Sequence, residues 1–328
     1  MRISKKSQVF TLIAIAMMTF IFISYSVYSN YNDRASVSDR VKTMSSFLSS
    51  MERDLQRQMY ASGFRAIFLA ENYIINNSGR TIVDSGYSNI SDFFEEKFFD
   101  NNPLCDPPLI VTNCINITDA MYGARYIDIN KSINEKAKLM NINVLLSNPS
   151  IYIYQEDPWN VLVQFEFNLN LDDSSGLASW NTREKIRENI SIEVFDDPLY
   201  VIETSLYGKK IKKNNINLSS ADLSKLRDFI TAGNYIAHND APSFLNRLEG
   251  LPDASPFGIE SLVDQRNLTV NLRGRARAAM DYNYFASTAY QPSSCVVTSL
   301  FSWFRLDDSH LSVYNVSASD CILVIPSP

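Results

Sequence analysis

Two histidines, His238 and His310, are the whole imidazole supply of this 328-residue chain. His238, Asp240 and Ser243 together carry the side-chain types of a hydrolytic triad. Triad members meet in space from distant positions, so closeness in sequence says little. Neither a G-x-S-x-G elbow nor an H-E-x-x-H zinc motif is present. His238-Asn239-Asp240 therefore reads as a turn before a helix. No catalytic, cofactor-binding or metal-ligating residue is expected on this reading.

Paired carboxylates occur at Asp172-Asp173, Asp196-Asp197 and Asp307-Asp308. Such pairs serve acid–base chemistry or calcium binding. None fits the D-x-[DN]-x-[DN]-G loop, and Asp is a frequent turn residue, so all three read as solvated turns. Lys209, Lys210, Lys212 and Lys213 form the one dense basic run. It lacks interleaved aromatic residues for base stacking and reads as a solvated loop. A glycine-rich phosphate loop is absent among only ten glycines.

The cysteines fall as two local pairs, Cys105 with Cys114 and Cys295 with Cys321. Four cysteines allow three pairings, and sequence alone does not choose among them. In an exported chain the nearest-neighbour scheme is favoured, because short loops close at low entropic cost. Zinc would need tighter spacing and histidine support. Sequons stand at Asn76, Asn89, Asn116, Asn189, Asn217, Asn267 and Asn315, each a glycosylation candidate if the chain is exported.

The elements that must position these residues begin with a long helix. Val9 to Tyr28 is almost wholly apolar, and no charge lies between Lys6 and Asp33. Twenty helical residues at about 1.5 Å each span roughly 30 Å, a hydrocarbon core. Cations on the leading side only place the N-terminus in the cytoplasm and the bulk outside. A cleaved secretory signal is the rival, with Ser24 and Ser26 as small residues at its cleavage site. Of 30 basic residues, Arg2, Lys5 and Lys6 precede the run, which leaves 27 against 36 acidic ones, or −9. A body so charged is a poor ligand for phosphate backbones, so no nucleic-acid partner is expected.

Beyond the run, Val37, Val41, Met44, Leu48, Met51, Leu55 and Met59 recur in steps of three and four. That stripe predicts an amphipathic helix over 31–78, capped by Ser36 and Asp39 and stopped at Asn76-Asn77-Ser78-Gly79. Its length, barely three heptads, favours packing within the chain over a coiled-coil stalk.

Lys5-Lys6-Ser7-Gln8-Val9-Phe10 resembles the class III signal of archaeal prepilins. The resemblance implies a cut between Ser7 and Gln8 by a prepilin peptidase, leaving the helix as an anchor. This chain has Ser where Gly is commoner before the cut, and Leu12 where many bacterial pilins carry an acid. Three further segments, 241–250, 258–263 and 302–308, resemble membrane-anchored exported proteins of small-genome archaea. That likeness attaches no activity.

Residues 79–117 are irregular in pattern around Pro103, Pro107 and Pro108. A helix is expected from Thr118 to Met140. Alternation from Ile142 to Leu171, broken at Asp157-Pro158, predicts a hairpin or meander. Ile190, Ile192 and Val194 suggest another strand. Helices are expected at Ala221–Thr231 and Ser243–Leu248.

The expected fold class is α+β: an N-terminal transmembrane helix, continuing as a long amphipathic helix, packed on an antiparallel β-sheet with helical insertions. Residues 1–7 are the cytoplasmic leader, 8–30 the transmembrane helix and 31–78 the amphipathic helix. The extracellular α+β region 79–328 is expected to allow two subdomains, 79–200 and 201–328. The expected function is a pilin-like surface protein, structural or adhesive rather than catalytic, with no cofactor. Its expected partners are the bilayer, a prepilin peptidase and other pilin-like subunits. An anchored extracellular hydrolase and a ligand-binding ectodomain outside any filament stay open as alternatives.

Overall fold

The structure, a computed structural model, describes residues 5–77, 79–100, 120–205, 207–215, 218, 222–275, 277–286, 294–297 and 299–323. Within the first helix, side chains are described at residue 10, over 12–28 and from 37 onward. Cys105, Cys114, Asn116 and Asn217 lie outside the described residues, as do the side chains of Ser7 and Gln8.

Helix α1 runs from Lys5 to Asn76 without interruption. The expected cap at Ser36 and Asp39 is not used, because the backbone is helical on both sides of it. No proline or glycine occurs between residues 5 and 62 to stop propagation. The expected stop holds: the helix ends at Asn76, and Gly79, at φ +83°, donates its N–H to Ile74 O at 2.9 Å. A Cβ at Gly79 would also meet the backbone of Ile202, so both conformation and space require glycine there.

The described side chains from Leu12 to Tyr28 are exposed, Phe20 at 72% and Phe22 at 73% among them. Among the described residues no helix is long and apolar enough to cross a membrane. The side chains of Val9 and Thr11, which complete the apolar run in the sequence, lie outside that description.

The chain divides into two compact units. One comprises Met1–Leu55, Asn130–Pro149 and Phe167–Glu184, the other Gln56–Ile129, Ser150–Glu166 and Lys185–Pro328.

In the first unit the buried face of α1 starts at Met44 and continues through Phe47, Met51 and Leu55. Val37 and Val41 are exposed and Leu48 is half-buried, so the stripe differs from its expected course. Just before that face, Arg40 pairs with Asp173 and donates to the carbonyls of Met140 and Asn141 at 3.2 and 3.1 Å. Phe47 turns toward the interior where Leu48 lies at the edge. Lys136 closes on Asp54 at 2.6 Å.

In the second unit α1 buries Met59, Ser62, Ala66, Ala70 and Tyr73 at the same spacing. At Gly63 an added Cβ would overlap the side chains of Val163 and Ile190, so glycine brings the helix hard against the sheet. That sheet is a meander in the order β1-β2-β3: Ile142–Asp157, Asn160–Asp173 and Ser179–Ser191. Pro158-Trp159 makes the first turn, at the break in alternation. Central β2 is buried on both faces from Val161 to Phe165, whereas β3 is mostly exposed. Ile192 to Val194 close as a 3-10 turn instead of extending the strand, with Ser191 accepting from Glu193 N–H.

Further helices are α2 (Ile90–Phe99), α3 (Tyr126–Leu139), α4 (Pro198–Thr204), α5 (Leu223–Ala232), α6 (Phe244–Glu249), α7 (Asp281–Phe285) and α8 (Asp308–Leu311). Short polar residues cap most of them: Asn89, Asp197, Asp222, Ser243 and Asp307 each accept from a backbone N–H in the first turn. A two-stranded sheet pairs β4 (Tyr235–Ala237) with β5 (Ile259–Ser261) antiparallel. A third sheet, in the order β7-β6-β8, joins Arg305–Asp307, Ser294–Val297 and Cys321–Leu323. Cys295 on β6 and Cys321 on β8 form the favoured disulfide, their Cα atoms 5.3 Å apart.

Candidate functional site

Glu260 is the middle residue of β5, opposite Ile236 on β4, and is fully buried. Its position depends on Gly258, where a Cβ would collide with the carbonyls of His238 and Ala241. The same tight approach lets His238 N–H donate to Gly258 O at 3.0 Å, which places the imidazole just past the end of β4. His310 arrives from 72 positions further along the chain, on α8. Asp307 ends β7 and caps α8, accepting from His310 N–H at 3.0 Å and meeting His310 Nδ1 at 2.6 Å.

These three elements bring both histidines to one carboxylate oxygen. Glu260 Oε2 lies 3.4 Å from His238 Nδ1 and 3.2 Å from His310 Nε2, with the imidazole centroids 4.9 Å apart. The ligand atoms of the three residues all fall within 4.8 Å of one another. Tyr314 donates its hydroxyl to Glu260 Oε1 at 2.7 Å, and Tyr282 Oη stands 3.1 Å from His310 Nε2. The three side chains are closed in, at 0% exposure for Glu260, 2% for His310 and 18% for His238.

Burial by itself would discharge His310. The hydrogen bonds to Asp307 and Glu260 outweigh it and raise its pKa to about 10. Burial pushes the Asp307 carboxyl up, but the bond to His310 holds it below the usual carboxylate range.

Beside this cluster lies a second buried network. Arg247 on α6 has no exposure and meets Asp197 at 2.7 Å and Asp281 at 3.1 Å; it also donates to the carbonyl of Ile259. Tyr235 donates to Asp197 at 2.7 Å, while Ser261 donates to Asp281 through both N–H and hydroxyl, at 3.0 and 2.9 Å. Strand β5 thus carries both networks, Glu260 serving one and its neighbours Ile259 and Ser261 the other.

No family model, curated protein or solved structure matches the chain.

The reading of the acid pairs as solvated turns is corrected. In each pair one carboxylate is buried against a cation: Asp173 with Arg40, Asp197 with Arg247, Asp307 with His310. The partners Asp172 and Asp308 are exposed, which is why turn composition looked sufficient. The lysine run is likewise only partly solvated. Lys209 donates to Gly233 O at 3.0 Å and lies over the rings of Tyr200 and Tyr235, and Lys213 lies over Trp159. Lys209 lines a cavity of about 290 Å³ with Tyr207, Thr231 and Asn267.

His238-Asn239-Asp240 does form a turn, closed by Ala241 N–H to His238 O at 3.2 Å. Ser243 is the cap of α6 and accepts from Asn246 N–H, so its hydroxyl serves structure. Of the described sequons, Asn76, Asn189, Asn267 and Asn315 are exposed, and Asn89 is half-buried as the cap of α2.

Proposed function

We propose that this is a membrane-anchored extracellular surface protein, pilin-like in build, and structural or adhesive rather than catalytic. The observation that carries the reading is the division of α1 along its length. One unbroken helix exposes a belt of large apolar side chains before Tyr28 and buries one face among the chain's own residues from Met44 onward. Exposed apolar surface of that extent is unfavourable in water and marks an interaction surface. The run is uncharged, its full sequence from Val9 to Tyr28 matches a bilayer's thickness, and cations precede it, so lipid is the occupant it fits. The close seat of Gly63 against an antiparallel meander supports the comparison with pilins, whose helix packs on their own sheet.

An anchored extracellular hydrolase is the second reading, favoured by the convergence of His238, His310, Glu260 and Asp307. The near-complete burial of Glu260 and His310 supports a structural role for that cluster over substrate turnover.

Mass spectrometry of the mature N-terminus tests the reading. The signal-like Lys6-Ser7-Gln8 leads to a chain beginning at Gln8. A chain beginning near Val27 would remove the anchor and contradict the proposal. An intact Met1 would leave the anchor and remove the processing step alone.

A further inference from the structure

We propose that His238, Glu260 and His310 bind a divalent transition-metal ion of zinc type, which ties β4, β5 and α8 together. The argument begins with distances. Zinc holds nitrogen and oxygen ligands at about 2.0–2.2 Å, so neighbouring ligand atoms around a tetrahedral ion are about 3.3–3.5 Å apart. The two separations from Glu260 Oε2, 3.4 Å to His238 and 3.2 Å to His310, already lie close to that edge. Only the nitrogen-to-nitrogen distance, at most 4.8 Å, needs to shorten.

The surroundings fit as well. A metal-bound histidine usually gives its other ring nitrogen to a carboxylate, which fixes ring and tautomer. Asp307 occupies that place on His310 Nδ1, so Nε2, which without an ion bonds Glu260 and meets the Tyr282 hydroxyl, is the nitrogen the ion would take. Tyr314 occupies the corresponding place on Glu260, binding Oε1 and leaving Oε2 directed at both rings. His238 Nδ1 is buried and makes no hydrogen bond, although it lies within ion-pair reach of Oε2.

Charge points the same way. Glu260 and Asp307 bring two buried carboxyl groups to the pair of imidazoles. A divalent cation with two neutral imidazoles balances both. Two nitrogens and one carboxylate oxygen suit zinc and its neighbours better than calcium or magnesium. A three-ligand set leaves a position for solvent, and His238 is where solvent reaches the cluster.

The test uses the untagged full-length chain in detergent, stripped with a chelator and given zinc chloride. One zinc per chain should survive gel filtration. Titration with cobalt(II) should give the intense visible bands of a four-coordinate ion. His238→Ala removes the most exposed ligand, and circular dichroism checks that the variant remains folded. It should weaken zinc binding at least tenfold and abolish the cobalt bands. Glu260→Gln should do the same if it folds, and His238→Ala decides alone if it does not. No retained zinc in the native chain, or retention unchanged by His238→Ala, overturns the proposal. The outcome is independent of whether α1 enters a bilayer.

Discussion

Glu71 lies on the buried face of α1, beside Asp196 and Asp197, with one carboxylate oxygen enclosed and without a hydrogen bond. Burial, reinforced by the charge of Asp196, raises its pKa from 4.5 to about 9. The folded state therefore holds a proton that the unfolded chain releases above pH 4.5. Its contribution is fully present below that pH and is lost as pH rises through 9. Glu71→Gln supplies a permanently neutral group and should stabilise the fold by about 2 kcal/mol at pH 7. Denaturant unfolding at pH 5 and pH 8 should show the advantage growing with pH; parallel behaviour of the two chains would contradict the assignment.

Arg247 gives the opposite case. Removing its guanidinium by Arg247→Met leaves Asp197 and Asp281 buried together, which should cost at least about 3–5 kcal/mol. Arg247→Lys should not restore stability, because a single ammonium cannot reach two carboxylates and a carbonyl in that geometry. Little of this was legible beforehand. His238, Glu260 and His310 stand 22 and 50 positions apart, a separation that no motif encodes. Each acid pair presented the composition of a turn, and for Asp173 and Asp197 the cation that buries the acid comes from a remote element. Only the Asp307-to-His310 spacing was local enough to find, as a cap with its partner three residues on.

Gly63 decides a sign at the scale of the helix. On an isolated helix Gly→Ala gains about 1 kcal/mol. Here the new methyl would overlap Val163 and Ile190, both fully buried, so Gly63→Ala should instead destabilise by about 1–3 kcal/mol. A thermal melt with a higher midpoint in the variant would show that helix and sheet are less closely seated. Leu55, 1% exposed, should lose about 2–5 kcal/mol on truncation to Ala, and half-buried Leu48 distinctly less. Leu55→Glu should unfold the chain; a folded variant that merely stopped associating would indicate an intermolecular seam. Reducing Cys295–Cys321, which closes 26 residues, should cost about 2–4 kcal/mol.

Elements were read more successfully than sites because periodicity is a local signal. The meander, its turn at Pro158, the helix stop near Gly79 and the helix beginning at Ser243 all follow from alternation and local periodicity. The start of the buried stripe did not, since Val37 and Val41 have the right spacing yet remain exposed, and burial begins only at Met44.

For the molecule as a whole, the contrast along α1 implies that the apolar run can be removed without harm to the fold. A chain beginning at Ser36 should be a soluble monomer whose melting temperature does not vary with concentration. A midpoint rising with concentration would reveal self-association. The compact units take discontinuous segments, because α1 and the three long strands each contribute to both. The measurement that bears most directly on the central claim is alkaline carbonate extraction of membranes from cells expressing the full chain, alongside the chain beginning at Ser36. The account requires the full chain to stay in the pellet until detergent is added, and the shortened chain to be released. A full chain freed by carbonate as readily as the shortened one would contradict it.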